Sequence, residues 1–293
     1  MSQAVSLEAG GRVRRRKLVN RAMEGVATLA ALLAVGVLVV VVVSVLQRGI
    51  PAINLDLFTK VQAPFGEAGG GIEHAIIGSL ILVGLATLMA LPMGVLIAIY
   101  VGEFARPSVS RLIRLALDVL NGVPSIVIGV FVYALIVVPL HRQSGWAGAF
   151  ALAIVMLPLV SRATMEVLAL VPDTLREASF ALGVSRWRTV LRVVMPTVLG
   201  GVMTGTVLAV ARAAGETAPL LFTSSLYANA VTFDPSQPLP SLPVTIFIYA
   251  DQPDKTLNDQ AWAAAFILIV FVLALSVTAR AALARSRRKL EGR

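Results

Sequence analysis

Six long apolar stretches, separated by polar segments, constrain this chain more than any other feature of its sequence. About 20 apolar residues in helical conformation are enough to cross the hydrocarbon core of a bilayer. The chain is 57% hydrophobic and only 14% charged, and its mean hydropathy of +0.85 excludes an ordinary soluble domain. We therefore predict an all-α membrane protein with six transmembrane helices, at residues 25–46, 75–101, 122–140, 147–169, 197–225 and 261–279.

The positive charges are concentrated on one side of these six predicted helices. With the N-terminus inside the cell, most of the 25 arginine and lysine residues fall in the two termini and in segments 102–121 and 170–196. This asymmetry predicts that both termini are cytoplasmic, and it explains the net charge of +9 without a nucleic-acid partner. The basic N-terminus could precede a cleaved signal peptide, but the long first stretch lacks a small-residue cleavage site, which favours a retained helix.

Several kinds of chemistry are excluded by what the sequence lacks. The absence of cysteine removes disulfides, cysteine-type zinc sites and thiol catalysis. A glycine-rich phosphate loop with the G-x-x-x-x-G-K-[ST] pattern is also absent, so the chain does not bind ATP in that manner. We predict no catalytic residue, no metal and no cofactor.

A polar, arginine-bearing segment at residues 172–196 separates the fourth and fifth apolar stretches. Thr174 followed by Glu177 matches the capping-box pattern that begins a helix. Gly183 suits the left-handed residue that ends a helix, and Ser185 is a suitable first residue for the next one. The segment is therefore predicted to form two short helices, and a simple capped hairpin between membrane helices would give the same pattern.

This segment resembles the EAA loop of permease subunits in type I ABC importers. The resemblance rests on Glu177, Ala178 and Ser179, then Gly183, then the VVMP sequence that ends at Pro196. Ser179 stands where the family more often has alanine. The resemblance implies a type I ABC importer permease fold and a cytoplasmic coupling helix that contacts an ATPase subunit through Glu177, Ala178 and Gly183.

Two arginines at membrane depth each have a glutamate four residues further on. Arg212 and Glu216 lie in the fifth stretch, and Arg162 and Glu166 lie toward the cytoplasmic part of the fourth. Spacing of four residues places each pair on one helix face, where the glutamate offsets part of the cost of a buried arginine. The pairs could be self-neutralised structural pairs, and the second could simply mark the membrane boundary. Facing one cavity, two guanidiniums would suit a tetrahedral oxyanion.

A narrower resemblance is carried by ARAAGETAPLLFT at 211–223 together with LPVTIF at 242–247. Both are similar to the A-type permease subunits of bacterial phosphate ABC importers, over residues 78–279. The resemblance implies phosphate as substrate, the bacterial cytoplasmic (inner) membrane as location, and Arg162, Arg212 and Glu216 as substrate-binding residues. It also implies a C-type phosphate permease subunit, two ATP-binding subunits and an extracytoplasmic phosphate-binding protein as partners.

The predicted domain organisation follows from that resemblance. Residues 1–24 are a basic cytoplasmic tail, 25–74 the first transmembrane helix and an outer loop, 75–279 the type-1 permease core, and 280–293 a second basic tail. A permease for another oxyanion, such as sulfate or molybdate, fits the same pattern. A membrane-embedded hydrolase using Glu166 or Glu216 is a further alternative, but the apolar stretches contain no histidine, cysteine or paired aspartates that could supply a nucleophile.

Overall fold

The first long helix forms a compact unit of its own. The computed structural model describes residues 11–64, 69–225 and 231–291, and the chain divides into units 1–48 and 49–293. Helix α1 (Gly11–Gly49) contains the whole of the first predicted span and begins within the basic N-terminal segment. Its apolar side chains are largely exposed, as the lipid-facing side chains of a membrane helix would be.

The second unit is built from helices, and the described part of the chain contains no β-strand. Three π-helical turns lengthen the α-helices: Tyr100–Phe104 follows α3, Tyr133–Val137 joins α5 to α6, and Val190–Val194 joins α9 to α10. The helices of this unit are α2 (Leu55–Thr59), α3 (Glu73–Ile99), α4 (Pro107–Gly122), α5 (Ser125–Val132), α6 (Val138–Leu140), α7 (Gly145–Ala169), α8 (Asp173–Ala181), α9 (Arg186–Thr189), α10 (Met195–Ala214), α11 (Ala218–Thr223), α12 (Leu242–Ala250) and α13 (Lys255–Glu291).

Membrane-spanning helices account for most of these elements. Helices long and apolar enough to cross a bilayer occupy Val13–Ala52, Glu73–Phe104, Gly145–Ala169, Arg186–Ala214 and Lys255–Thr278. The bent pair Pro107–Gly122 and Ser125–Leu140, whose two arms are bent by 96°, meets the same criterion as a unit and gives a sixth crossing when it is counted as one span. The prediction of an all-α membrane protein with six transmembrane helices is therefore confirmed.

Helices α3 and α7 pack closely and run parallel. Each helix has a glycine that lies against the other helix, and the two contacts have the same register. A Cβ atom on Gly94 would meet the Val160 side chain at 2.8 Å, and one on Gly148 would meet Leu82 at 2.9 Å. The difference in residue number between the two partners is the same in both contacts, so the register between α3 and α7 is constant along their length. They supply much of the largest buried apolar cluster.

Helix α10 packs against α7 in the opposite direction. A Cβ atom on Gly205 would meet Ala163, and a Cβ atom on Gly201 would meet Val167. As the residue number rises on α10 it falls by the same amount on α7, which fixes an antiparallel register. This register gives the level of any residue of α10 relative to α7.

The fifth span and the loop that follows it differ from the prediction of an apolar stretch at 197–225 and a polar loop at 226–260. Helix α10 ends at Ala214, and the separate helix α11 completes the apolar stretch. The loop contains α12, because Pro243 occupies the first turn, where proline is tolerated, and the residues around it are buried. Helix α13 begins at Lys255, earlier than the predicted residue 261.

The bundle has two distinct ends. The hairpin end carries α8, α9 and the C-terminal ends of α3 and α7. At the opposite end, the first backbone N–H groups of α7 donate to loop carbonyls, with Gly145 N bonded to Gln237 O at 2.8 Å and Trp146 N to Pro235 O at 3.0 Å. The loops of the opposite end therefore satisfy donors that a helix N-terminus cannot satisfy within itself.

Candidate functional site: a coupling hairpin and a charged break in a membrane helix

The α8–α9 hairpin turns at Gly183, as predicted. Gly183 has φ of +76°, in the left-handed region. Its N–H donates to Phe180 O at 2.9 Å, and the N–H of Val184 donates to Ser179 O at 3.2 Å. These two bonds satisfy carbonyls at the C-terminus of α8 in a Schellman arrangement. The hairpin is closed by a hydrogen bond between the Ser179 and Thr189 hydroxyls, 2.8 Å apart.

The predicted capping box at Thr174 and Glu177 is not formed. Helix α8 begins one residue before Thr174, with Pro172 as its N-cap and no capping bond from a side chain. Proline has its φ fixed near the value observed and cannot continue a preceding helix, so it takes the N-cap position in place of Thr174. Ser185 does occupy the N-cap of α9, but its side chain makes no capping bond.

The face of the hairpin that points away from the bundle is exposed and largely apolar. Glu177 and Ala178 lie on this face and are exposed. Leu182 is 84% exposed and Leu170 is 80% exposed, the two highest values among the large apolar side chains described. An exposed apolar surface of this kind indicates a site for contact with another protein.

Arg176 binds the hairpin to the rest of the bundle, a role that was not predicted from the sequence. Its Nη2 and Nε donate to the Oε1 of Glu103 at 2.8 and 3.2 Å. Its Nη1 donates to the Val171 carbonyl at 2.7 Å, and Nη2 also donates to the Leu168 carbonyl at 3.1 Å. The side chains of Arg176 and Glu103 are only 17% and 7% exposed. No local pattern marks this pair, because its members lie 73 residues apart.

Arg212 and Glu216 form the predicted ion pair, but not on one helix. The Nε of Arg212 lies 3.5 Å from the Oε1 of Glu216. Helix α10 ends at Ala214 with Gly215 as its C-cap, so Glu216 lies in the break before α11. The Arg212 side chain is 55% exposed, whereas that of Glu216 is 14% exposed. Among the described residues Arg212 has no second partner.

The helix register places Arg212 near the middle of the membrane. The contacts of Gly205 with Ala163 and of Gly201 with Val167 put Arg212 at the level of Met156. Met156 lies halfway along α7 and belongs to the same buried cluster as Ala209 and Ala213 of α10. A half-exposed arginine at this level cannot be facing lipid tails without a large cost, so its exposed side faces a partner chain or water.

Helix α11 holds the break in place. It packs against α5 and α7, and it approaches α5 so closely that a Cβ on Gly129 would lie 2.6 Å from the Cα of Pro219. Non-helical backbone at membrane depth is tolerated where it is buried in protein or lines a water-filled cavity. The break at residues 215–217 therefore presents Glu216 and the end of α10 at an interior surface.

Arg162 pairs with Asp118 of α4, not with Glu166 as predicted. The ion pair joins Arg162 Nη2 to Asp118 Oδ1, and Glu166 is exposed. The Nε of Arg162 is buried without a hydrogen-bond partner. From the register of α7 and α10, Arg162 lies about 9 Å along the axis from the level of Arg212. The two arginines thus have different partners and lie at different depths, with Arg162 nearer the hairpin end.

The fold and these polar sites define a class of membrane-embedded transport subunits. The family described as binding-protein-dependent transport system inner membrane component matches residues 90–291. That match covers more than half of the chain, so the chain belongs to this family. Multi-pass insertion in a membrane follows from the six spans.

Within that family the chain groups with the phosphate transport system permease proteins PstA. It is 41% identical over 266 residues to PstA of Haemophilus influenzae, covering 90% of this chain and 94% of that protein. It is 41% identical over 251 residues to PstA of Yersinia pestis, covering 85% of each. It is 34% identical over 252 residues to the probable PstA of Methanocaldococcus jannaschii, covering 86% and 89%.

Solved transporter structures share the fold. A structure of the MetNI methionine ABC transporter in an inward-facing conformation matches with a TM-score of 0.56 and 18% identity, over 73% of this chain and 94% of that chain. A bacterial ABC transporter involved in alginate import matches with a TM-score of 0.63 and 14% identity, over 93% and 99%. The predicted type I ABC importer permease fold is confirmed by these likenesses, which concern the fold alone.

Proposed function

We propose that this chain is the A-type permease subunit of a binding-protein-dependent phosphate importer. The observation that carries the proposal is a half-exposed arginine at mid-membrane depth, Arg212, beside a break in its helix and paired with one carboxylate. The similarity of the chain to the PstA proteins supports phosphate as the transported ion. The chain performs no bond chemistry, and transport proceeds by alternating access driven by a partner ATPase.

The hairpin end is proposed to face the cytoplasm of a bacterial cell. Most arginines and lysines of the chain fall on that side when both termini are cytoplasmic. The exposed face of α8, with Glu177 and Ala178, is then available to an ATPase subunit. The full importer contains a C-type phosphate permease subunit, two ATP-binding subunits and an extracytoplasmic phosphate-binding protein at the opposite end.

Arg212 is proposed to bind phosphate during translocation, and Glu216 to hold the arginine when the path is empty. A guanidinium has five N–H donors, and one carboxylate oxygen 3.5 Å from Nε leaves most of them for a substrate. Glu216 also adds selectivity. Phosphate near neutral pH keeps a proton to donate to a carboxylate, whereas sulfate has none and is repelled.

Arg162 is proposed as a second phosphate contact, nearer the cytoplasm. Its ion pair with Asp118 is about half exposed, with side-chain exposures of 41% and 54%. A guanidinium has five N–H donors, and the single carboxylate of Asp118 leaves some of them for a passing anion. Two arginines at successive depths give phosphate a series of contacts along the path.

The proposal is tested by transport into proteoliposomes that contain the complete importer. We expect ATP-dependent uptake of radiolabelled phosphate that requires the binding protein and is not inhibited by excess sulfate or molybdate. Uptake of sulfate or molybdate instead of phosphate would assign the chain to another oxyanion. Absence of any ATP-dependent anion uptake would contradict the transport function itself.

Gly183→Asp is expected to leave the subunit inserted but to reduce its association with the ATPase. The left-handed conformation at Gly183 costs a non-glycine residue about 1 kcal/mol, and a carboxylate at a helix C-terminus is unfavourable. Within the described part of the chain, no atom outside Gly183 and its two neighbours lies within 4 Å of a Cβ at this position, so the added side chain would project into the space proposed for the partner.

The measurement for this variant is the ratio of ATPase to permease after affinity purification. Gly183→Asn is the matched control, since asparagine adopts the left-handed conformation more readily and carries no charge. We expect a several-fold lower ratio for aspartate and a smaller loss for asparagine. An aspartate variant that recovers the ATPase at the wild-type ratio would show that Gly183 is not part of the contact.

A further inference from the structure

Two adjacent residues of the π-helical turn Tyr100–Phe104, which follows α3, contact both helices of the hairpin. Glu103 accepts two hydrogen bonds from Arg176 of α8. Phe104 packs against α9, with its ring centroid 5.7 Å from that of Trp187 and 5.4 Å from the guanidinium carbon of Arg186. The hairpin is therefore attached to the π-helical turn after α3 by a charged contact and an aromatic contact side by side.

The guanidinium of Arg176 also binds the end of α7. The carbonyls of Leu168 and Val171, to which it donates, belong to the last turn of α7 and the residues just after it, where carbonyls lack partners within the helix. One buried arginine thus joins α8, the C-terminus of α7 and Glu103 of α3. Displacement of α8 would break these bonds unless the ends of α3 and α7 moved with it.

Helix α3 reaches from this attachment to the opposite end of the bundle. The span Glu73–Phe104 has 32 residues, which corresponds to about 48 Å of helix. Near its start, the Ser79 hydroxyl accepts a hydrogen bond of 2.7 Å from the N–H of Leu242, and Gly78 lies directly against the carbonyl of Pro240. These contacts attach the other end of α3 to the segment that leads into α12.

We propose that the Glu103–Arg176 pair is a positioning element that transmits movement of the coupling hairpin to α3, and through α3 to the α12 segment at the opposite end. The inference rests on the proposed function, because it requires an ATPase that moves the hairpin. Its physical basis is that α3, with Pro92 inside it, and the π-helical turn after it form one helical span that is fixed at both ends. Removing the pair leaves the aromatic contact of Phe104 but weakens the attachment, so that the hairpin moves more independently of the helix.

The test compares phosphate transported per ATP hydrolysed in the complete reconstituted importer. Glu103→Gln keeps the shape of the side chain but removes its charge, and Arg176→Lys keeps the charge but loses the bidentate geometry. Both variants are expected to retain the ATPase on purification and to keep hydrolysing ATP, while phosphate moved per ATP falls about fivefold. The double variant is expected to lose no more than the worse single variant, because both changes break one link.

Asp56→Asn is the matched control, because it removes a carboxylate from an exposed ion pair with Lys60 far along the sequence from the hairpin. This variant is expected to transport as much phosphate per ATP hydrolysed as the wild type. An unchanged amount of phosphate per ATP in both Glu103→Gln and Arg176→Lys would overturn the proposal. Loss of the ATPase from both variants would also overturn it, because the pair would then be required only for assembly. Failure of wild-type importer to take up phosphate would instead contradict the proposed function.

Discussion

Replacing Arg212 by lysine is expected to reduce phosphate uptake roughly tenfold or more, while the importer still assembles. Lysine keeps the charge but cannot donate two parallel hydrogen bonds to one phosphate. A hydrogen bond to a charged group contributes about 1.5–3 kcal/mol, and about 1.4 kcal/mol corresponds to a tenfold change in rate. Arg212→Gln, which also loses the charge, is expected to reduce uptake further.

The measurement is the initial rate of phosphate uptake, together with the recovery of the partner permease and the ATPase. Arg14→Lys is the control, because Arg14 is exposed on α1 outside the permease core, and we expect it to transport normally. Wild-type rates in both Arg212 variants would show that the arginine has only a structural role. Such a result would also remove the main support for a substrate path beside the break in α10.

Gly129→Ala is expected to displace α11 and with it the carboxylate of Glu216. A Cβ at Gly129 would lie 2.6 Å from the Cα of Pro219 and 3.2 Å from its carbonyl oxygen, so backbone must shift to make room. Overpacking of this kind typically costs about 1–3 kcal/mol. We expect a lower melting temperature for the purified importer and a loss of phosphate uptake larger than the loss of protein.

Gly84→Ala provides the control, since among the described residues no atom beyond the neighbouring backbone of α3 lies within 4 Å of a Cβ at that position and alanine is a better helix former than glycine. Equal melting temperatures and uptake for the two alanine variants would mean that α5 and α11 separate easily. The structural account of the break at residues 215–217 would then be wrong, because α11 would not be held against α5.

The membrane crossings and the hairpin turn, which depend on short runs of sequence, were predicted correctly. The six crossings follow from the length of the apolar stretches, because a bilayer has one thickness and the backbone within it must be helical. The turn at Gly183 follows from a glycine at the end of an amphipathic segment. The family was also accessible from sequence, through the motif at residues 177–196 and the run at 211–223.

Predictions of helix ends and of ionic partners were less successful. Spacing of four residues suggested that Arg162 pairs with Glu166, but α4 brings Asp118 to it instead, 44 residues away. The same spacing suggested one continuous helix from Arg212 to Glu216, whereas α10 ends between them. The polar segment at 226–260 contains several prolines, so no helix was predicted there. Helix α12 forms in it and is stabilised by burial against α13 and α3.

The sequence by itself determined the membrane class, the crossings, the hairpin and the positions of the arginines that we propose for a phosphate path. Tertiary structure decided which carboxylate each arginine meets, where the fifth crossing breaks, and that Arg176 binds Glu103 of α3. The physical reason is that helix formation and membrane insertion depend on neighbouring residues, whereas ionic partners depend on the register between helices. That register is set by close contacts such as Gly205 against Ala163, which bring together residues far apart in the chain.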